Sequence, residues 1–197
     1  MVTEIDGLLR DPLSRRRLFG RAGVGVAGAS AALLAACGDD TKSPNVQTAP
    51  DESDAADVEL LNASLDLELM VVEAYKAGAA ALRGSNLQIA KGFLEQEQAH
   101  ADSLVSAIRD AGGTPNSPKS SYDFPRLRSQ RAVLRFAVNL ENTVIASYID
   151  VLPKLSQGEL RATAAAIVTC EAEHVAVLLG ALGEPQVPAA FVTGRAD

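Results

Sequence analysis

The sequence predicts an all-α fold: a four-helix bundle made of two helical hairpins, with a crossover linker between helices 2 and 3. Three observations carry this. First, 47% of the residues are hydrophobic but only 4% are aromatic and Trp is absent. Ala and Leu therefore fill the apolar positions, and these favour helix over strand. Second, four long stretches place apolar residues at alternating steps of three and four, the spacing of one helix face. Third, the pattern recurs: Glu97-Gln98-Ala99-His100 is followed 74 positions later by Glu171-Ala172-Glu173-His174, and the chain has only 2 histidines. A repeat at that offset implies two copies of one hairpin.

Helix 1 is expected to begin near Asp54 or Asp57, run to about Leu82 and stop at Gly84, with Leu61, Leu65, Glu68, Val72 and Tyr75 along its apolar stripe. Helix 2 is expected to open with a capping box, Ser85-x-x-Gln88, and to end at Gly112-Gly113. Its stripe reads Ile89, Phe93, Glu97, His100, Leu104, Ile108. Thr114 to Pro125 is rich in Pro and Ser and reads as the crossover linker. Helix 3 should run from about Leu127 to Leu152, broken by Pro153, with Leu134, Val138, Glu141, Ile145 and Tyr148 inward. Helix 4 is expected to start at a second capping box, Ser156-x-x-Glu159, and to reach about Ala181. Its stripe is Leu160, Ala164, Ile167, Glu171, His174 and Leu178, with Cys170 expected as a small buried hydrophobe. The bundle then spans 54–182, and 183–197 form a tail expected to pack through Val187 and Phe191.

Each stripe carries a carboxylate near its middle: Glu68, Glu97, Glu141 and Glu171. A buried, unpaired carboxylate costs on the order of several kcal/mol, and no stripe holds a Lys or Arg to offset it. Cations among them would. Two divalent ions balance four carboxylates, and the imidazoles of His100 and His174, one helical turn from Glu97 and Glu171, complete a mixed O/N donor set suited to iron, manganese or zinc. Glu73, Glu95, Glu173 and Asp66 fall off the stripes and read as solvated charges. The spacing from Glu68 to Tyr75 equals that from Glu141 to Tyr148, so the repeat extends to both tyrosines.

The formal charge is −7, and from Cys37 onward acidic side chains outnumber basic ones by 22 to 13. Such a body has no electrostatic footprint for nucleic acid. The basic residues of the first 36 positions belong to a different pattern. Ser14-Arg15-Arg16-Arg17-Leu18-Phe19 precedes a short, weakly apolar run from Ala22 to Ala36. That run is too short and mild to span a membrane. It resembles a twin-arginine export signal built on Arg15 and Arg16. Leu34-Ala35-Ala36-Cys37 resembles a lipobox, which implies acylation of Cys37. Residues 1–37 then form a signal peptide and 38–53 a polar tether. The implied location is the outer face of a bacterial cell membrane, held by a lipid anchor.

On Glu68, Glu97 with His100, Glu141, and Glu171 with His174, the chain resembles the ferritin-like superfamily. In that superfamily a Glu from each of two helices and two Glu-x-x-His motifs hold two metal ions. The resemblance covers about 55–182 and implies a di-iron centre, with manganese as the alternative metal and each His terminal on one ion. It places Tyr75 and Tyr148 beside the metals, where a proton or redox role in catalysis is the implied one. Gln98 stands where haem-binding bacterioferritins carry Met, so no haem is expected, and no Cys-x-x-Cys electron-transfer domain is present. The implied activity is oxidation or sequestration of Fe2+, or peroxide removal, with O2 or H2O2 as co-reactant. A manganese catalase would use the same ligands. The alternative from another class is a non-enzymatic, stress-protective envelope protein of the desiccation-related kind, in which metals only hold the helices together. A homodimer is compatible with either.

Overall fold

The computed structural model describes residues 52–195, so Arg15, Arg16, Cys37 and the expected signal and tether up to residue 51 lie outside the described residues. Four long helices follow in order: α1 (Glu52–Gly78), α2 (Gly84–Asp110), α3 (Gln130–Val151) and α4 (Gly158–Leu182). No strand occurs among the described residues. α1 packs along α2 and α3 along α4, and the two hairpins meet chiefly through α1 and α3. Leu65, Ile108 and Ile145 of the expected stripes have no exposed surface, and neither have Val71 and Val144, which the stripes did not include. Removing such side chains from water is the main favourable term holding a bundle of this kind together.

The helix ends depart from expectation in instructive ways. α2 begins at Gly84, with Arg83 in the cap position and no side-chain cap bond. Ser85 is thus already inside the first turn, where its hydroxyl cannot serve the free N–H groups as a cap does. The second capping box fails for a different reason. Ser156 lies before the cap residue Gln157, and its N–H and hydroxyl both donate to Asp57 of α1, at 2.9 and 2.6 Å. A long-range carboxylate has taken the serine that the local pattern assigned to α4. α3 has the cap that the pattern did not signal: Ser129 accepts from the Ala132 N–H at 3.2 Å, which starts the helix at Gln130. α2 and α4 end alike, each with a glycine at φ +77°, Gly112 and Gly183. A following N–H reaches back to the last turn in both: Gly113 to the Ile108 carbonyl at 2.8 Å, Glu184 to the Leu179 carbonyl at 2.9 Å. Glycine takes this left-handed conformation without a Cβ penalty.

The crossover linker is fastened to α1. Asn62 donates to the Thr114 carbonyl at 3.1 Å and accepts from the Asn116 N–H at 2.7 Å. Asn116 in turn donates to Asp66 at 3.1 Å. The tail does not pack through Val187 and Phe191, which are 81% and 82% exposed. Its attachments are polar and backbone ones instead. Glu184 pairs with Arg135 of α3, and Gly194 brings the backbone against Asn142 and Ala146, where a side chain would not fit.

Candidate metal centre

The four carboxylates that interrupt the apolar stripes converge at mid-height in the bundle. Glu68 comes from α1, Glu97 from α2, Glu141 from α3 and Glu171 from α4, and none has any exposed surface. Helical periodicity then places His100 and His174 beside them, because positions i and i+3 share a face. The His174 side chain is 2% exposed and that of His100 13%.

Two overlapping groups of donors result. Glu68, Glu97, His100 and Glu171 offer ligand atoms that all lie within 4.8 Å of one another, and so do Glu97, Glu141, Glu171 and His174. Glu97 and Glu171 belong to both. In the first group His100 Nδ1 lies 2.9 Å from Glu171 Oε1 and 3.4 Å from Glu97 Oε2. In the second, His174 Nδ1 lies 3.0 Å from Glu97 Oε1 and 3.1 Å from Glu171 Oε2. Proximity here is mostly not hydrogen bonding. Five of the carboxylate oxygens and His100 Nδ1 are buried without a hydrogen-bond partner. Among the described residues no Lys or Arg pairs with any of the four carboxylates. Buried polar atoms are nearly always satisfied in folded proteins, so this many orphans in one cluster fit a cation that their lone pairs face.

The tyrosines cross between hairpins. Tyr148 of α3 donates to Glu68 Oε1 of α1 at 2.6 Å, and Tyr75 of α1 donates to Glu141 Oε1 of α3. Each therefore secures one of the two carboxylates that belong to a single donor group. Burial and the neighbouring Glu68 charge push the Tyr148 phenol up; burial and Glu141 do the same for Tyr75. Both remain neutral donors at neutral pH.

Burial, then repulsion by Glu171 and Glu97, raises the Glu68 carboxyl well above its usual range. Burial, then Glu97 repulsion, does so for Glu141, although His174 partly opposes it. For Glu171 burial also pushes upward, but the adjacent imidazoles of His100 and His174 outweigh it and hold the carboxyl at about 2. Burial alone would lower both histidines. Glu171 and Glu97 instead raise His100 to about 11, and Glu141 and Glu171 raise His174 to about 12. Without metal, the cluster is thus a store of protons.

Of the off-stripe acids, Glu95 and Glu173 are exposed, Glu73 pairs with Lys76 at 2.8 Å, and Asp66 serves the linker. Three residues that were not expected to take part in the centre surround His174. Phe93, read only as core, stacks on its ring at 3.9 Å between centroids. Gln96 Oε1 lies 2.8 Å from Nε2. Cys170 is not a buried hydrophobe: it is partly exposed, with Sγ 3.5 Å from the same nitrogen. The Cys170–His174 spacing, one helical turn, was a readable signal; the reach of Gln96 across to α4 was not.

Comparison with solved structures shows the same fold. A conserved hypothetical protein from Mycobacterium tuberculosis superimposes with a TM-score of 0.64 at 21% identity, covering 71% of this chain and 99% of that one. A ferritin-like, diiron-carboxylate protein from Bacillus anthracis gives 0.58 at 24% identity, covering 67% and 99%. The bacterioferritin of Desulfovibrio desulfuricans, whose structure describes a diiron site, gives 0.61 at 17% identity, covering 67% and 81%. No curated protein matches the sequence. Residues 56–184 match the family model for the Ferritin-like domain, which covers the bundle and every donor of the centre. The chain belongs to the ferritin-like domain family.

Proposed function

We propose that the centre holds two iron ions and that the protein oxidises or sequesters Fe2+, or removes peroxide, at the cell envelope. The observation that carries this is the sharing of Glu97 and Glu171 between two four-donor groups. Two carboxylates common to both positions suit a dinuclear centre, whereas a single ion would leave one of the two donor groups unused. Glu97 and Glu171 would serve both positions, Glu68 with His100 would complete one, and Glu141 with His174 the other. The diiron site described for the bacterioferritin relative supports iron, and the mixed carboxylate–imidazole set admits manganese.

Two ferrous ions bound there would supply the two electrons that reduction of O2 to H2O2, or of H2O2 to water, consumes. The chain's own part is holding and placing. Tyr75 and Tyr148 keep their phenolic protons and donate hydrogen bonds to Glu141 and Glu68, which orients these carboxylates. The apolar stripes keep bulk water from the donors, and the partial exposure of His100 marks the side on which small molecules reach them. The twin-arginine pattern at Arg15 and Arg16 and the lipobox at Cys37 support export and lipid anchoring, both testable by globomycin sensitivity and membrane fractionation.

The experiment is metal analysis of protein prepared without chelators and loaded anaerobically with Fe2+, followed by stopped-flow oxidation. About two ions per chain and O2- or peroxide-dependent turnover are expected, with His100→Ala and Glu171→Ala each abolishing it. Metal-dependent stability without turnover would favour the structural, stress-protective reading. Wild-type rates in both variants would overturn the proposal.

A further inference from the structure

The two halves of the centre are related by the 74-residue repeat, yet they are not supported equally. His174 is fixed on three sides. Gln96 Oε1 is 2.8 Å and Cys170 Sγ 3.5 Å from its Nε2, and Phe93 stacks on its ring. Among the described residues no side chain bonds to Nε2 of His100. The repeat shows why. The counterpart of Gln96 in the second hairpin is Cys170, whose short side chain lies against His174 of its own helix. The counterpart of Phe93 is Ile167, which brings no ring to stack.

An imidazole offers its Nδ1 lone pair to a metal only if the ring proton sits on Nε2, and a buried N–H there needs an acceptor. Gln96 Oε1 is that acceptor. We infer that Gln96 is a positioning residue, setting the tautomer and ring orientation of His174 so that the Glu97–Glu141–Glu171–His174 position takes the first and tighter of two metal ions. This rests on the dinuclear reading above. The His100 position, without a partner on its outer nitrogen and with a partly exposed ring, takes the second ion and exchanges it more readily. Loss of the outer partner of a metal-bound histidine costs about 10- to 100-fold in metal affinity.

Because the chain has 2 histidines, imidazole 15N–1H spectra of the full-length protein can follow each ring separately. Zn2+ serves as a diamagnetic probe, with calorimetry giving the affinity of each equivalent. In the unsubstituted protein the His174 Nε2–H should exchange slowly, and Zn2+ should bind in two steps. Gln96→Leu should speed that exchange and weaken the first step by about 10- to 100-fold, leaving the second step in place. Gln96→Glu, which retains an acceptor, should restore both. Unchanged exchange and affinity in Gln96→Leu, equal weakening of both steps, or weakening without faster exchange would each overturn the assignment. Failure of the unsubstituted protein to bind two equivalents would remove the dinuclear reading and this inference with it, whereas the other outcomes remove this inference alone.

Discussion

A glutamate with no exposed surface must share a proton, find a cation or strain the fold, and Glu68, Glu97, Glu141 and Glu171 face that choice together. Without metal the answer is divided: burial and repulsion favour the protonated form of Glu68 and Glu141, while the neighbouring imidazoles hold Glu171 ionised. His100 and His174 are held up at about 11 and 12, and Glu68 and Glu141 are raised well above their usual range. Metal ligands must be deprotonated, so each ion that binds displaces protons. The two imidazoles, held up at about 11 and 12, carry protons at pH 7 that the ion must drive off, so affinity falls as pH falls. Calorimetry of Zn2+ binding in buffers of different ionisation enthalpy should show net proton release at pH 7, and weaker binding at pH 6 than at pH 8. Proton-neutral binding would mean that the cluster is already deprotonated. At this scale the sequence was highly legible. The positions of the six donors followed from periodicity and from the scarcity of histidine. Gln96 was not legible, because it lies beside the stripe and stays exposed in the fold, and only its reach to His174 on α4 distinguishes it.

Among elements, the clearest departures from local pattern occur at helix starts. Ser156 looked like a cap for α4 and is instead the anchor of the α3–α4 turn on α1, through Asp57, itself only 1% exposed. Hydrogen bonds to a charged group contribute roughly 1.5–3 kcal/mol, and removing the acceptor leaves donors unsatisfied. Asp57→Ala should therefore lower stability by about 2 kcal/mol in urea titration with little change in metal stoichiometry, since the turn lies at the bundle end and not at the donors. A loss below about 0.5 kcal/mol would show that water replaces the carboxylate. Ser156 shows why caps were misread while helices were not. A helix stripe is repeated over many turns and survives local error, whereas a cap is one side chain that a residue 99 positions away can claim. The tail failed for a similar reason: Val187 and Phe191 looked like packing residues, but Glu184 and Gly194 supply the attachment.

For the whole molecule, an ion that binds only the folded bundle stabilises it by mass action, about 2.7 kcal/mol when its concentration is a hundred times Kd. In a domain of this size that corresponds to roughly 5–10 °C in Tm for each ion. Thermal scans with and without a chelator should differ by that order, and the difference should grow with free metal. A chelator-insensitive Tm would mean that the folded protein binds ions no better than the unfolded chain. The crossed tyrosines and the composition of the two donor groups carry a consequence for kinetics as well. Neither hairpin owns a complete position: Glu68, Glu97 and His100 need Glu171 from the second half, while Glu141, Glu171 and His174 need Glu97 from the first. A loaded centre would thus work as a clasp across the seam between the two hairpins. Amide hydrogen exchange in the metal-free protein can proceed hairpin by hairpin. Once the clasp is shut, both hairpins must open in a single event or not at all.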